Sequence, residues 1–136
     1  MTYLLDTNAI SDLMRGSARI ENWISGLPHA DRLVTWAIVR GEILFGIGRL
    51  PKGKRRTELE EASHQFLSAF RCEAVPQGAA DYYAVLKLAR QRSGLALDEN
   101  DLWVAATALE LTATLVSRDA DFTGIEGLAL LNLPRE

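Results

Sequence analysis

The sequence predicts an α/β domain in which four or five short strands pair in a mostly parallel sheet. Three observations lead there. Apolar runs of strand length alternate with longer segments whose apolar residues recur at helical spacing, the order that builds a parallel sheet. The chain has 136 residues, within the roughly 100–200 of a single domain, and shows no internal repeat, linker or shift of composition. Hydrophobic residues make up 48% and charged residues 24%, which excludes disorder and low complexity as its general state. A chain of this size buries roughly two-thirds of its unfolded surface, so neither disulfides nor a structural metal are needed for folding.

Tyr3-Leu4-Leu5 is the first strand, ended by Asp6-Thr7-Asn8. Thr7 and Asn8 both suit a helix cap. Ile10, Leu13 and Met14 recur at helical spacing until Gly16, and Ile20, Trp23 and Ile24 repeat the pattern before Gly26 and Pro28, predicting a helical hairpin. Leu33-Val34-Thr35 is the second strand. Trp36 to Ile47 is helical by length and period. Gly41 inside it costs about 1 kcal/mol against Ala, which predicts close packing there. The basic residues from Arg49 to Arg56, around Pro51 and Gly53, form a loop entering another helix. Leu59, Ala62, Phe66, Leu67 and Phe70 line one face of that helix, and Glu58, Glu60 and Glu61 the solvated one. Cys72 to Val75 is the third strand, closed by Pro76. Tyr82, Val85, Leu86 and Ala89 mark an amphipathic helix ended by Gly94, and Leu102, Ala105, Ala106 and Leu109 mark the next. Thr114-Leu115-Val116 is the fourth strand and Leu128 to Leu131 the fifth.

Eighteen acids against 15 Lys and Arg leave a net charge of −3. A protein that holds nucleic acid by bulk charge is basic, so any such binding here must be local. The single cysteine, Cys72, excludes an intrachain disulfide and fits a reducing compartment. No apolar run approaches the ~18 residues of a membrane span. No basic-then-apolar leader precedes Asp6, so a cytoplasmic location is expected.

The acids carry the chemistry. Asp6 directly follows the first strand, and Asp119 follows the fourth after only Ser117 and Arg118. In an open parallel sheet ligands bind outside the carboxyl ends of strands, so acids distant in sequence can meet there. Each is also explained as a turn or cap aspartate. Glu42 shares a helix face with Ile38, Val39 and Phe45. Buried without a partner it would be costly, so it must pair with a cation, be protonated or bind a metal. Asp98 and Asp101 open the helix before the fourth strand. Asp98 suits a cap, and Asp101 adjoins the apolar Leu102-Trp103-Val104 run.

Together Asp6, Glu42, Asp101 and Asp119 would form a carboxylate cluster. Two such charges ~5 Å apart at an effective dielectric of ~20 repel by ~3 kcal/mol, so four require a cation. His29, His64 and Cys72 show no ligand spacing. Oxygen donors alone favour Mg²⁺ or Mn²⁺, which can hold a phosphate and activate water.

At this point the residues match a known pattern. From Tyr3 to Leu133 the chain resembles the PIN-domain ribonucleases, in particular the VapC toxins of type II toxin–antitoxin pairs. Leu4-Leu5-Asp6-Thr7-Asn8 is similar to the first family motif, and Glu42 stands at the second acid. Asp101-Leu102-Trp103-Val104-Ala105-Ala106-Thr107-Ala108 is similar to the third motif, and Leu115-Val116-Ser117-Arg118-Asp119-Ala120-Asp121-Phe122 to the fourth. Trp36 and Arg40-Gly41 depart from it, standing where small residues are usual. The fourth motif offers both Asp119 and Asp121, and Asp119 lies nearer the strand end. The resemblance implies a single PIN-like domain over residues 1–136, a three-layer α/β/α sandwich. It also implies a metal-dependent endoribonuclease with catalytic and metal-holding residues Asp6, Glu42, Asp101 and Asp119. The implied partners are RNA, a second copy in a homodimer, and an antitoxin that covers the acidic cleft and carries the DNA-binding half of the complex.

Rival readings are weaker. A phosphorylatable receiver domain needs an acid pair at the first strand and a lysine after the last, but Leu4-Leu5 precede Asp6 and no lysine follows Lys87. A haloacid-dehalogenase-like phosphatase needs Asp-x-Asp, and Asn8 fills the second place. The rival from another class is a PIN-fold binding or regulatory module without catalysis. Arg49, Lys52, Lys54, Arg55 and Arg56 offer either an RNA grip or a solvated helix start with Lys54–Glu58 and Arg56–Glu60 pairs. Trp23, Trp36 and Trp103 sit in or beside apolar stripes, which favours packing over base stacking.

Overall fold

The computed structural model describes residues 1–95 and 97–133. In chain order these form β1 (Thr2–Leu5), α1 (Thr7–Met14), α2 (Ala18–Ser25), β2 (Arg32–Trp36), α3 (Ala37–Gly48), α4 (Lys54–Leu67), β3 (Arg71–Glu73), α5 (Ala79–Arg92), α6 (Glu99–Glu110), β4 (Thr114–Val116) and β5 (Leu130–Leu131). A short 3₁₀ turn, Ala120–Phe122, follows β4. The strands form one sheet in the order β3-β2-β1-β4-β5, and every pairing is parallel.

The order sets the layers. From β1 through β2 to β3 the chain moves outward in one direction, then returns past β1 to β4 and β5. Crossovers between parallel strands are right-handed, so reversing direction moves the connecting helices to the opposite face. That places α1–α4 on one side and α5 and α6 on the other, the predicted three layers. The middle strands carry the core: Leu4, Leu5 and Leu115 have no exposed surface. Alanines at 105, 106 and 108 of α6 are equally buried, and their small side chains let that helix lie close to the sheet. No helix of the described residues is long and apolar enough to cross a membrane.

Local signals account for several boundaries. Gly16 and Gly94 adopt left-handed φ values of +78° and +68° just beyond α1 and α5, which only glycine reaches without steric cost. Lys54–Glu58 and Arg56–Glu60 form at 3.7 and 2.7 Å. Neither pair, nor any other residue from Arg49 to Arg56, reaches the cavity described below.

Other expectations are corrected. Asp6, rather than Thr7 or Asn8, caps α1. Trp36 closes β2 instead of opening the helix, and Val75 lies outside β3. Gly41 is exposed and a Cβ there would touch nothing within 4 Å, so close packing does not explain it. Glu42 is exposed, because α3 buries Val39 and Ile43 instead. On α4 Ala62 is exposed, while Ser63 and Leu67 are buried. On α5 Leu86 is buried, while Tyr82, Val85 and Leu88 remain 41%, 66% and 50% exposed. Periodicity marks an apolar face but not whether a neighbour covers it.

Thr112 is the one non-glycine residue with positive φ, +52°, among the described residues. It follows α6 where glycine is favoured, and a β-branched residue is strained there. Thr112→Gly is expected to stabilise the fold by about 0.5–1 kcal/mol, the left-handed cost of ~1–2 kcal/mol less the entropy of glycine. A higher urea midpoint at unchanged slope is the readout.

Candidate active site

The reversal of chain direction leaves a crevice beyond the carboxyl ends of β1 and β4, the place where open α/β sheets bind ligands. The Asp6 N–H donates to the Val116 carbonyl at 3.2 Å, tying the two strand ends together. Asp6 Oδ1 accepts the Ala9 N–H at 3.0 Å, so the residue is both helix cap and crevice acid. Asp119 has the same double position. Its Oδ1 accepts the Asp121 N–H at 2.9 Å, and its own N–H donates to Ser117 Oγ at 3.1 Å. Local capping held each backbone turn in place, and the turn delivered the carboxylate to the crevice.

Two helices bring the other acids. Asp101 lies in the first turn of α6. Trp103 of that helix stacks on Tyr83 of α5 with centroids 4.0 Å apart, and Glu99 bonds Lys87 at 2.7 Å. These contacts hold the start of α6 against α5. Glu42 projects from α3, whose buried Val39 seats the helix. Asp6, Glu42, Asp101 and Asp119 all wall one cavity of about 310 Å³. Thr7, Asn8, Trp36, Asn100, Arg15 and Arg118 complete much of its lining. Trp36, only 1% exposed, is a structural wall there. Asp98 instead caps α6 through the Asn100 N–H at 3.2 Å, and Asp121 is exposed and off the wall. His29, His64 and Cys72 also lie elsewhere.

The cavity is electrostatically unbalanced. Among the described residues none of the four acids forms an ion pair. Burial pushes the Asp6 carboxyl up to about 6, with Asp119 adding repulsion, against the pull of hydrogen bonds from Ser117 and Ala9 and of the Arg118 charge. Burial also lifts Asp101 to about 6, with the charges of Asp119, Asp98, Asp6 and Glu42 adding repulsion. Glu42 is raised by desolvation and then by Asp98, while Thr7 and Asn100 hydrogen bonds oppose the shift. Arg118 and Arg15, the cations on the wall among the described residues, make their ion pairs with Asp12: Arg118 Nε and Arg15 Nη1 bond opposite oxygens of it at 2.9 and 3.4 Å.

An all-oxygen donor set that repels itself fits a hard divalent cation in kind. Among the described residues no three His, Cys, Asp or Glu side chains already converge tightly enough to hold a metal. Part of the reason is that Asp6 and Asp119 are each engaged by a backbone N–H. The fit is therefore one of donor chemistry and of position on one cavity wall.

Sequence reasoning passed over several residues at this site. Asn8 Oδ1 accepts the Arg118 N–H at 3.3 Å, joining the first and fourth motifs. Asn100, beside Asp101, reaches Glu42. Asp12 is 7% exposed; its signal was an acid one residue from the apolar Leu13. Nothing local showed that Arg118, 106 positions away, shares it with the neighbouring Arg15.

Residues 3–128 match the PIN domain family model. The chain is 30% identical over 134 residues to VapC ribonuclease Y4jK of Sinorhizobium fredii, covering 95% of each chain. It is 29% identical over 134 residues to Toxin FitB of Neisseria gonorrhoeae, covering 95% of this chain and 96% of that one. Its fold superposes with a TM-score of 0.87 and 25% identity on a chain of the VapBC2 complex of Rickettsia felis bound to a promoter DNA fragment, covering 97% of this chain and 98% of that one. With a family match that takes in the first strand, all four crevice acids and the reversal that gathers them, this chain belongs to the PIN domain family.

Proposed function

We propose that this chain, as a single domain over residues 1–136, is a metal-dependent endoribonuclease and the toxin of a type II toxin–antitoxin pair, acting in the cytoplasm. The observation that carries this reading is the convergence of four carboxylates, none paired with Lys or Arg among the described residues, on one cavity at the switch point of the sheet. The relatives named as a VapC ribonuclease and a toxin support it. Asp6, Asp101 and Asp119 hold Mg²⁺ or Mn²⁺, and Glu42 ligates the ion or orients the attacking water. The bound cation supplies a more acidic water and offsets phosphate charge. The water oxygen bonds to phosphorus as the P–O3′ bond breaks, and the proton lost by water is returned to O3′. The products are a 5′-phosphate and a 3′-hydroxyl. Neither His29 nor His64 stands at the cavity to drive attack by the 2′-hydroxyl.

The partners follow from the same reading. An antitoxin segment covers the acidic cavity and brings the complex to DNA, as the promoter-bound relative supports. The exposed apolar side chains of α5 and Phe45 of α3, 67% exposed, support a homodimer and a protein partner.

End-group analysis of cleaved single-stranded RNA, with and without EDTA, tests the chemistry. Cleavage is expected to stop in EDTA and otherwise to leave 5′-phosphates. A 2′,3′-cyclic phosphate, or cleavage that persists in EDTA, would overturn the mechanism. Replacing His29 and His64 together is expected to leave the rate within a few-fold, as neither takes part in proton transfer.

A further inference from the structure

We propose that Arg118 binds a backbone phosphate of the RNA and that Asp12 is the positioning residue that holds it ready. This rests on the ribonuclease reading and assigns the substrate side of the same cavity. Arg118 lies on the cavity wall with Asp6, Asp101 and Asp119. A guanidinium beside three carboxylates would ordinarily pair with one of them and weaken the site for a cation. Here its ion pair is with Asp12 instead, although its charge still lowers Asp6 against the effect of burial.

The restraint is specific. Asp12 sits on α1 outside the cavity lining, 7% exposed, and takes Arg118 Nε at 2.9 Å. At the other end of the residue, the Arg118 N–H is held by Asn8 Oδ1 at 3.3 Å. Backbone and guanidinium are thus both anchored, while the side chain stays 31% exposed. Among the described residues no hydrogen-bond acceptor engages its two terminal nitrogens. Arg15, 59% exposed, bonds the second oxygen of Asp12 and also reaches the cavity wall.

The cavity is therefore divided by charge. Among the described residues none of its four acids is in an ion pair, and a tethered planar donor stands on the same wall. A phosphodiester next to a divalent cation requires such a division, because its non-bridging oxygens take guanidinium hydrogen bonds that carboxylates cannot offer.

The test compares the full chain with Arg118→Gln, Arg118→Lys, Asp12→Asn and the Asp12→Asn/Arg118→Gln pair. Two quantities are measured: KM for cleavage of a single-stranded RNA over a range of salt, and Mg²⁺ affinity without RNA by calorimetry. Arg118→Gln is expected to raise KM about tenfold or more, the value of a charged hydrogen bond. It should flatten the log–log salt slope by ~0.7, the loss of one phosphate contact on a single strand. Mg²⁺ affinity should be unchanged or rise. Arg118→Lys should recover the slope but only part of KM, since lysine contacts phosphate as a point charge. Asp12→Asn should weaken Mg²⁺ binding, because Arg118 is then released toward the acids, and the double variant should restore it. A structural salt bridge would not produce that restoration. An Arg118→Gln chain with unchanged KM and salt slope overturns the proposal, even if its affinity for a protein partner falls. A wild-type chain that binds Mg²⁺ but neither binds nor cuts RNA overturns the ribonuclease reading and this proposal together.

Discussion

Asp6→Asn and Asp101→Asn are expected to abolish RNA cleavage while leaving the protein folded and, at neutral pH, at least as stable. The loss should be on the order of 10²–10³-fold, the scale seen when one preorganised electrostatic stabiliser of a transition state is removed. Asp6 makes the sharper test. Its side chain caps α1 through the Ala9 N–H, and asparagine caps as well as aspartate. The substitution therefore keeps the cap and removes only the charge. That charge is held at a cost, because burial lifts the carboxyl to about 6. Neutralising it should gain about 1–2 kcal/mol at neutral pH, at about 1.4 kcal/mol per pKa unit and allowing for imperfect amide bonding. Activity assays beside urea denaturation read both effects. A stable Asp6→Asn enzyme that still cuts RNA would refute the assignment. Loss of activity through unfolding would show that Asp6 is chiefly structural.

The second large effect is a stability that depends on pH and cation together. Asp6 and Asp101 are both raised from 3.8 to about 6. Between those values the native chain binds protons that the unfolded chain has released. Stability is then highest at the acidic side of this window and falls as pH rises through 4 to 6, levelling off above it. Between pH 5 and about 7.5 the expected loss is of the order of 2 kcal/mol for the pair, with Asp101 contributing less because it is partly solvated. Mg²⁺ should reverse the trend. A cation bound only by the native state adds about 2.7 kcal/mol at a hundredfold excess over its Kd, and it binds best once the carboxylates are ionised. Denaturation at the two pH values, with Mg²⁺ or with EDTA, should show the metal stabilising mainly at the higher one. Equal stability under all four conditions would mean that these carboxylates hold no metal.

What was legible in the sequence was local in origin. The strand Thr114–Val116 appears where its apolar run predicted it. The pairs Lys54–Glu58 and Arg56–Glu60 form because four residues span one helical turn. The alternation of strands and helices was enough for a parallel sheet, and the position of Asp6 and Asp119 after two strands was enough to send both to its carboxyl end. Even the competing explanation of these acids as caps was sound. Asp6 and Asp119 are caps, and capping is what fixes them at the crevice.

Only the tertiary structure decided which faces were covered and which charges met. Tyr82 and Val85 carry the same helical signal as Leu86, yet only Leu86 is buried, because a period describes one helix and burial depends on its neighbour. Gly41 reads as a packing glycine and stands in the open. Asp12 reads as an ordinary helix acid until β4 lies beside β1 and brings Arg118 to it at 2.9 Å. The sequence by itself determined the elements, their order and the acids available for chemistry. The fold decided the burial that raises Asp6 and Asp101 and the ion pair that Arg118 makes with Asp12 instead of with either of them. Both depend on distances between segments remote along the chain, and side-chain desolvation and Coulomb energy follow those distances rather than sequence spacing.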